Sequence, residues 1–188
     1  RGIEVIADGA HTLAHMDFKI PDLECDYFAS SLHKWLSAPF GSGLLYIRKE
    51  KIKNVWALLS NNEPDGPDIR KFESLGTRSF ASEMAIGVAA DFHEVIGANR
   101  KEARLRFLKD YWVDQVKDLP GISFNQPTSQ HLSCAIASLS VEGMKPEEVA
   151  GELFSKYKIH TVAINWENIH GVRVTPNVYT SVKDLDKL

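Results

Sequence analysis

The sequence lacks the features that would mark it for several classes of function. Only two of its 188 residues are cysteine, Cys25 and Cys134, and these cannot form a disulfide framework. Neither lies in a Cys-x-x-Cys pair or in a Cys/His cluster with the spacing of metal ligands. We therefore expect no metal site and two reduced thiols in the folded core, which favours a reducing compartment and a cytoplasmic location.

The sequence also lacks an excess of charge of one sign. Its 22 Lys and Arg residues are balanced by 25 Asp and Glu residues, for a net charge of -3, without a basic block or an acidic tail. Nucleic acid and anionic membranes are therefore poor candidates for partners. The longest apolar runs, such as 84–90, are far shorter than the roughly twenty residues of a membrane span, so we expect a soluble protein.

An ordinary globular composition remains, with 44% hydrophobic and 25% charged residues. The length allows one substantial core, in one domain or two small ones. The chain begins with Arg1 and Gly2 directly before a strand pattern, and it ends in a helical pattern over Val182–Leu188 that lacks a stop signal. We expect it to be a piece of a longer protein.

Short apolar runs and turns alternate in the first part of the chain. They predict neighbouring strands of one sheet at Ile3–Ala7, Tyr27–Ser30 and Gly43–Arg48, the first with a buried-strand pattern and an open sheet edge. Residues 54–79 show little periodicity and predict an extended loop region. Apolar residues at helical spacing then predict a helix that begins near Ser82.

A second helical stripe, from Leu105 to Leu119, is predicted to be core and to lead into a second part of the chain. That part has a strand-strand-helix-strand-strand pattern, which is typical of a small α+β sandwich. Its predicted elements are strands at Ile122–Phe124 and Ala135–Val141, a helix from Pro146 towards Tyr157, and strands at Ile159–Ile164 and Gly171–Thr175.

The most informative residue is Lys34, because a predicted strand that ends near Asp8 precedes it. A pyridoxal enzyme needs an amine to hold the cofactor, an acid for the pyridine nitrogen, donors for the phosphate and a cation for the substrate carboxylate. Lys34 and Asp8 are candidates for the amine and the acid, and Ser31 and His33 can donate to phosphate oxygens. Taken alone, each has an ordinary alternative: a surface Lys, a turn or cap Asp, and two unremarkable polar residues.

Five motifs that occur in one order resemble a known family. They are Asp8–His11, Ser31–Trp35, Gly41–Tyr46, Gly76–Arg78 and Arg173–Tyr179. In this order they resemble the class V aminotransferases of fold type I, which include cysteine desulfurases, serine and alanine transaminases and isopenicillin N epimerase-like proteins. His11 together with the run His33–Trp35 is most similar to the isopenicillin N epimerase-like branch.

The resemblance implies an α/β fold in two parts. Residues 1–100 would be the C-terminal part of the large domain that binds pyridoxal phosphate, with a mostly parallel sheet and helices. Residues 101–188 would be a small α+β C-terminal domain, truncated at its end.

The resemblance also implies roles for the residues around Lys34. Lys34 would form the Schiff base with pyridoxal phosphate and later move the α proton of the substrate. Asp8 would pair with the pyridine nitrogen, Ser31 and His33 would contact the phosphate, and His11 would lie near the phenolic oxygen of the ring.

Three further roles follow from the same resemblance. Thr77 would reach the phosphate of the cofactor in the other subunit, which implies a homodimer. Arg173 would bind the substrate carboxylate, although an Arg on a strand is, taken alone, usually a surface residue. Arg78 would be a second anion contact. The other histidines, among them His15, are interpreted as surface or structural residues.

The implied activity is that of a pyridoxal-phosphate enzyme acting on an amino acid by transamination or epimerisation. Cysteine desulfurases carry a nucleophilic Cys shortly before the residue that corresponds to Arg173, and residues 160–170 contain none, which argues against desulfuration. The family's N-terminal half, with its phosphate loop and ring-stacking residue, is not in this chain, so we expect the isolated chain to be inactive. The alternative is a non-catalytic dimerisation or binding module that retains the fold.

Overall fold

A computed structural model describes residues 2–127 and 129–188 of the chain. The chain divides into two units, Arg1–Gly97 and Ala98–Leu188. The boundary predicted between residues 100 and 101 falls inside the helix that opens the second unit. The assignment of the units to a cofactor-binding domain and a small domain stays a prediction.

The first unit contains a three-stranded sheet of β1 (Ile6–Asp8), β2 (Tyr27–Ser31) and β3 (Gly43–Ile47), in that order. The three predicted strands are therefore neighbours in one sheet. β1 and β2 run parallel, and β2 and β3 run antiparallel. The described sheet is thus mixed rather than mostly parallel, because β3 returns through a loop instead of the long crossover that a parallel pair requires.

The burial expected for the first strand is wrong. Ile3 and Ile6 are each 75% exposed, and the strand is shorter than predicted and lies further along the chain. An apolar run favours an extended backbone, whereas burial also needs a second layer of side chains over the strand. The described part of the chain places no such layer over these two residues.

Among the described residues of the first unit, the helices are three short 3₁₀ turns and one long α-helix. The 3₁₀ turns span Ile20–Leu23, Lys49–Asn54 and Ile69–Glu73, and α1 spans Phe80–Ile96. The helix begins earlier than predicted, because Ser79 rather than Ser82 has the extended backbone of an N-cap residue. The apolar stripe that predicted this helix is largely exposed, at Met84, Val88, Phe92 and Val95.

The long segment before α1 is ordered by a buried lysine that the sequence patterns do not reveal. Lys71 is buried, and its Nζ donates to the carbonyl oxygens of Ile52, at 2.8 Å, and Pro64, at 2.9 Å. Asn61 Nδ2 in turn donates to the carbonyl oxygen of Lys71 at 3.2 Å. These bonds connect parts of the segment that are far apart in sequence, so the region is not simply extended.

The second unit has the predicted strand-strand-helix-strand-strand order. Its elements are α2 (Ala98–Val116), β4 (Ile122–Phe124), a 3₁₀ turn (Gln130–Leu132), β5 (Ala137–Val141), α3 (Pro146–Tyr157), β6 (Val162–Trp166), β7 (Ile169–Val174) and α4 (Val182–Leu185). The sheet order is β4-β5-β7-β6, with every pair antiparallel.

The core of the second unit forms between α2 and its sheet. Leu108 and Trp112 of α2 are buried together with Leu139 of β5 and Val172 of β7. Leu119, the last residue of the predicted core stripe, is exposed because α2 ends at Val116, before the stripe is complete. Elsewhere, Cys25 and Cys134 are both buried, as expected.

No helix in the described residues is both long enough and apolar enough to cross a membrane. Within the same residues, no group of three or more His, Cys, Asp or Glu side chains has the arrangement of a metal site.

Gly171 gives a test of the packing of β7. A Cβ added at this position would overlap the carbonyl oxygen of Leu139, a backbone atom inside the sheet that cannot move independently. We expect Gly171→Ala to lower the free energy of unfolding by about 1–3 kcal/mol, the usual cost of overpacking, as measured by urea denaturation.

The matched control is Gly151→Ala on α3, where an added Cβ meets nothing within 4 Å. This control should leave the protein as stable or raise the free energy of unfolding by up to about 1 kcal/mol, because alanine favours a helix. Equal effects of the two substitutions would contradict the packing described for Gly171.

Candidate functional site

Four of the predicted site residues lie at one edge of the first sheet. Asp8 is the last residue of β1, Ser31 is the last residue of β2, and His33 and Lys34 lie in the turn that follows. β1 and β2 are parallel, with Asp8 opposite Ala29. The carboxyl ends of parallel strands meet at the same edge of a sheet, which is where ligands bind in open α/β sheets.

Two short hydrogen bonds hold these strand ends together. The backbone N–H of Gly9 donates to the carbonyl oxygen of Ala29 at 2.7 Å, and Ser30 Oγ donates to the carbonyl oxygen of Gly9 at 2.8 Å. The ring of the buried Phe28 fills the space where a side chain at Gly9 would stand. The glycine after Asp8 is therefore required by packing at the strand end.

The carboxylate of Asp8 is oriented by the turn that it begins. Its Oδ1 accepts a hydrogen bond from the backbone N–H of Ala10 at 3.0 Å, and the residue is exposed. Asp commonly makes this bond to the backbone two residues further along a turn. The arrangement fixes a negative charge at the end of β1 and leaves it accessible.

The turn that carries Lys34 is closed by backbone hydrogen bonds. The N–H of Leu32 donates to the carbonyl oxygen of Ser42, and the N–H of Ala38 donates to the carbonyl oxygen of Leu32, each at 3.1 Å. Trp35 and Leu36, which follow Lys34, are buried. The half-buried Lys34 is therefore anchored by its neighbours in the sequence.

Lys34 and His11 meet although 23 positions separate them. Lys34 Nζ lies 3.4 Å from His11 Nε2, and the Trp35 indole Nε1 donates to His11 Nδ1 at 3.1 Å. His15 is buried and stacks on Trp35, with ring centroids 3.9 Å apart and an interplanar angle of 4°. His15 and Trp35 thus support the His11 imidazole.

The sequence alone marks His15 as one of the surface or structural histidines and predicts packing as the role of Trp35. One signal could have marked His15, because it follows His11 by four residues on a tight turn. Its Nδ1 lies 2.7 Å from the carbonyl oxygen of His11. No sequence pattern predicts the stacking of His15 on Trp35, because the two side chains come from separate segments of the chain.

His33 contributes a buried nitrogen with unused hydrogen-bonding capacity. Its Nδ1 is buried and makes no hydrogen bond within the described residues. Leaving such a group unsatisfied costs about 1–3 kcal/mol, so the position suits a polar ligand. Together with the neighbouring amine of Lys34 and the carboxylate of Asp8, this orphaned nitrogen fits a cofactor that carries an anionic group and a ring nitrogen.

Thr77 and Arg78 lie just before α1 rather than in the turns after β1 and β2. Thr77 is exposed and follows Gly76, whose φ is 71°. The Arg78 guanidinium forms an ion pair with Glu83 and lies over the Phe80 ring, 5.5 Å from its centroid. An external anion would have to compete with Glu83 for Arg78, and the roles of both Thr77 and Arg78 stay predictions.

Arg173 lies on β7 of the second unit, opposite Ser138 of β5 and Val162 of β6. Its Nε is buried and has no hydrogen-bond partner in the described part of the chain. A guanidinium with an unused buried N–H is suited to a carboxylate, which accepts two parallel hydrogen bonds from Arg. The predicted role of Arg173 in binding substrate stays a prediction.

A family model and several known proteins match this chain. The model for aminotransferase class V matches residues 1–188. Isopenicillin N epimerase from Streptomyces clavuligerus is 28% identical over 205 residues, which cover 100% of this chain and 52% of that protein. A probable cysteine desulfurase from Halalkalibacterium halodurans is 30% identical over 161 residues, which cover 79% of this chain and 38% of that protein. The chain thus spans about half the length of the epimerase.

Solved structures share the fold. A cysteine desulfurase from Escherichia coli matches with a TM-score of 0.81 and 20% identity, covering 99% of this chain and 50% of that one. The complex of a cystine C-S lyase with cysteine persulfide matches with a TM-score of 0.79 and 18% identity, covering 97% and 50%. These likenesses confirm the predicted fold class.

The buried thiol of Cys134 gives a prediction about reactivity. Burial raises the pKa of this thiol to about 11, against a smaller opposing effect of the Arg106 charge. Because only the thiolate is a good nucleophile, and a raised pKa keeps the thiol protonated below about pH 11, alkylation in the native chain should be slow at pH 8.

Mass-resolved labelling with iodoacetamide between pH 7 and pH 10 measures this reactivity. The same peptide in urea, where the thiol is exposed, serves as the control and should react at least tenfold faster at pH 8, since an ordinary thiol has a pKa of about 8.5. Native labelling at the rate of the denatured chain would contradict the burial of Cys134.

Proposed function

Because the chain belongs to the aminotransferase class V family, we propose that it supplies the lysine-bearing part of a pyridoxal-phosphate enzyme that acts on an amino acid. The predicted resemblance to this family is confirmed, and pyridoxal phosphate is the cofactor of the family. The observation that carries the proposal is the contact of Lys34 Nζ with His11 Nε2, at 3.4 Å, beside the end of the strand that carries Asp8.

The residues at the sheet edge match the needs of this cofactor. Asp8 would hold the protonated pyridine nitrogen through a charge-assisted hydrogen bond. Ser31 and the orphaned Nδ1 of His33 would contact the phosphate, and His11 would lie at the phenolic oxygen. When bound, the cofactor supplies an electron sink for the bond broken at the substrate α carbon.

Lys34 would hold the cofactor and then act as the general base that takes and returns the α proton. A base must lie within reach of the proton that it moves, and the closed turn around Lys34 keeps its amine at the end of β2. The guanidinium of Arg173 would bind the substrate carboxylate. Thr77 would reach the cofactor of a second subunit, so the complete protein would be a homodimer.

The chemistry that we propose is transamination or epimerisation, both of which begin with loss of the α proton. Two isopenicillin N epimerases match over the whole chain at 28% and 24% identity, and a cysteine desulfurase matches over the whole chain at 24%, so the extent of the match does not separate these activities. The two reactions differ in where the proton returns. They also differ in which substrate side chain the pocket admits.

Desulfuration is the second candidate, because several relatives are named as cysteine desulfurases. The segment before Arg173 folds into the β6–β7 hairpin, and residues 160–170 hold no Cys. Cys134 lies in another part of the unit, and burial raises its pKa to about 11. A mobile thiolate nucleophile would have to come from outside these residues, so we favour the first candidate.

Cofactor labelling tests the assignment of Lys34. We expect pyridoxal phosphate, followed by borohydride reduction, to modify the purified chain mainly at Lys34, because this amine lies beside the groups that would bind the phosphate and the ring. Peptide mapping by mass measures the modified fraction at each lysine.

The label at Lys34 should disappear in Lys34→Ala and should persist in Lys53→Ala, which removes an exposed lysine of the second 3₁₀ turn. Labelling that is absent, or spread evenly over many lysines, would count against Lys34 as the cofactor amine. The same labelling of the full-length protein would then distinguish a chain that holds only part of the cofactor site from a dimerisation or binding module that retains the fold without using the cofactor.

Asp8→Asn tests the acid at the end of β1. The Asn side-chain oxygen can still accept from the N–H of Ala10, so the turn should be retained, while the negative charge is lost. Loss of a charge-assisted hydrogen bond of about 1.5–3 kcal/mol should weaken cofactor binding about ten- to a hundredfold, as measured by absorbance titration.

Asp22→Asn, at an exposed position in the first 3₁₀ turn, is the matched control and should bind the cofactor as the unmodified chain does. Equal affinities of Asp8→Asn and Asp22→Asn would exclude Asp8 as the partner of the pyridine nitrogen.

A further inference from the structure

The two ring nitrogens of His11 face different side chains. Trp35 Nε1 lies 3.1 Å from Nδ1, and Lys34 Nζ lies 3.4 Å from Nε2. An indole N–H can only donate a hydrogen bond, whereas each nitrogen of a neutral imidazole either donates or accepts. The Trp35 contact therefore requires a lone pair on His11 Nδ1.

This requirement fixes the position of the ring hydrogen on His11. A neutral imidazole with its lone pair on Nδ1 carries its hydrogen on Nε2. A protonated ring would donate from both nitrogens and would lose the bond from Trp35. His11 consequently presents an N–H donor, and not a lone pair, in the direction of the Lys34 amine, and this N–H can hydrogen-bond to Nζ only when the amine is neutral, because an ammonium group has no lone pair.

The indole of Trp35 is itself held in place. Trp35 is 5% exposed, and the ring of His15 stacks on it in a nearly parallel arrangement. His15 follows His11 by four residues in the turn after β1 and is fixed through its Nδ1, which is 2.7 Å from the carbonyl oxygen of His11. A carbonyl oxygen accepts, so His15 donates from Nδ1. The three rings form one connected group, His11–Trp35–His15.

We propose that Trp35 is a positioning residue that sets the tautomer of His11, with His15 holding the indole, so that His11 Nε2 is a fixed hydrogen-bond donor next to Lys34. A donor at this point would stabilise an anionic oxygen of a ligand bound at the Lys34 amine, whereas a lone pair would repel it. This use of the donor rests on the proposed pyridoxal phosphate site. The tautomer itself does not depend on the cofactor.

The first test reads the tautomer directly in the chain without cofactor. Long-range ¹H–¹⁵N spectra at a pH where imidazoles are neutral distinguish a hydrogen on Nδ1 from one on Nε2, and His11→Gln assigns the signals. We expect the His11 hydrogen on Nε2. In Trp35→Phe, which keeps an aromatic ring but loses the N–H, the preference for Nε2 should fall roughly five- to tenfold, the equivalent of one neutral hydrogen bond.

Trp56→Phe, at an exposed tryptophan of the same unit, is the matched control and should leave the His11 signals unchanged. A hydrogen on Nδ1 of His11, or an unchanged preference in Trp35→Phe, would overturn the proposal. If Trp35→Phe does not fold, the indole N–H signal of Trp35 tests the hydrogen bond instead. An indole N–H that donates to His11 must change its chemical shift in His11→Gln or His11→Ala.

The second test follows the bound cofactor. In Trp35→Phe, the pH midpoint of the absorbance change of the cofactor should rise by about 0.5–1 unit. The reason is that loss of the fixed His11 Nε2 donor destabilises the deprotonated phenolic oxygen of the cofactor. In a His11→Ala background the donor is already absent, so Trp35→Phe should cause no further rise. A purely structural role of Trp35 would give equal rises in both backgrounds and would overturn the proposal.

The two tests separate this inference from the proposed function. If no cofactor binds at Lys34, the proposed pyridoxal phosphate site fails, and the tautomer of His11 still confirms or refutes the role of Trp35. If the cofactor binds and the midpoint does not respond to Trp35→Phe, the site stands and the positioning role is wrong.

Discussion

The candidate site depends on the parallel pairing of β1 with β2. This pairing places Asp8 opposite Ala29, and the bonds of Gly9 with Ala29 and Ser30 close it. The carboxyl ends of parallel strands lie at the same edge of the sheet, so the residues that follow the two strands lie side by side. The buried ring of Phe28 occupies the space where a side chain at position 9 would lie. Packing therefore explains the glycine that follows Asp8 in the Asp8–His11 motif.

From this junction the site is built by two turns whose side chains interlock. The turn after β1 supplies His11 and His15, and the turn after β2 supplies Lys34 and Trp35. Because the buried Trp35 follows Lys34 directly, one anchored indole both locates the lysine and orients the imidazole opposite it. Binding groups are best held by neighbours whose own conformations are fixed, and the stack with His15 provides this support.

The second unit positions its one predicted site residue by different means. Arg173 lies in the interior of an antiparallel sheet whose other face is covered by the buried side chains of α2. Two residues before Arg173, Gly171 of β7 lies so close to the carbonyl oxygen of Leu139 that a side chain would overlap this backbone atom. A buried guanidinium nitrogen without a partner in the described residues is costly, and such costs are typical of positions that bind a ligand.

The sequence by itself determined the elements with strong local signals and the order of the motifs. α3 matches its prediction from Pro146 to Tyr157, because proline at the first position and acids in the first turn define a helix start locally. β4 also has its predicted bounds. The tertiary structure alone decided the exposure of Ile3 and Ile6, the burial of Lys71, and the contacts among His11, Trp35 and His15. These features join residues far apart in the chain, and the periodicity of one segment carries no information about which distant side chain will pack against it.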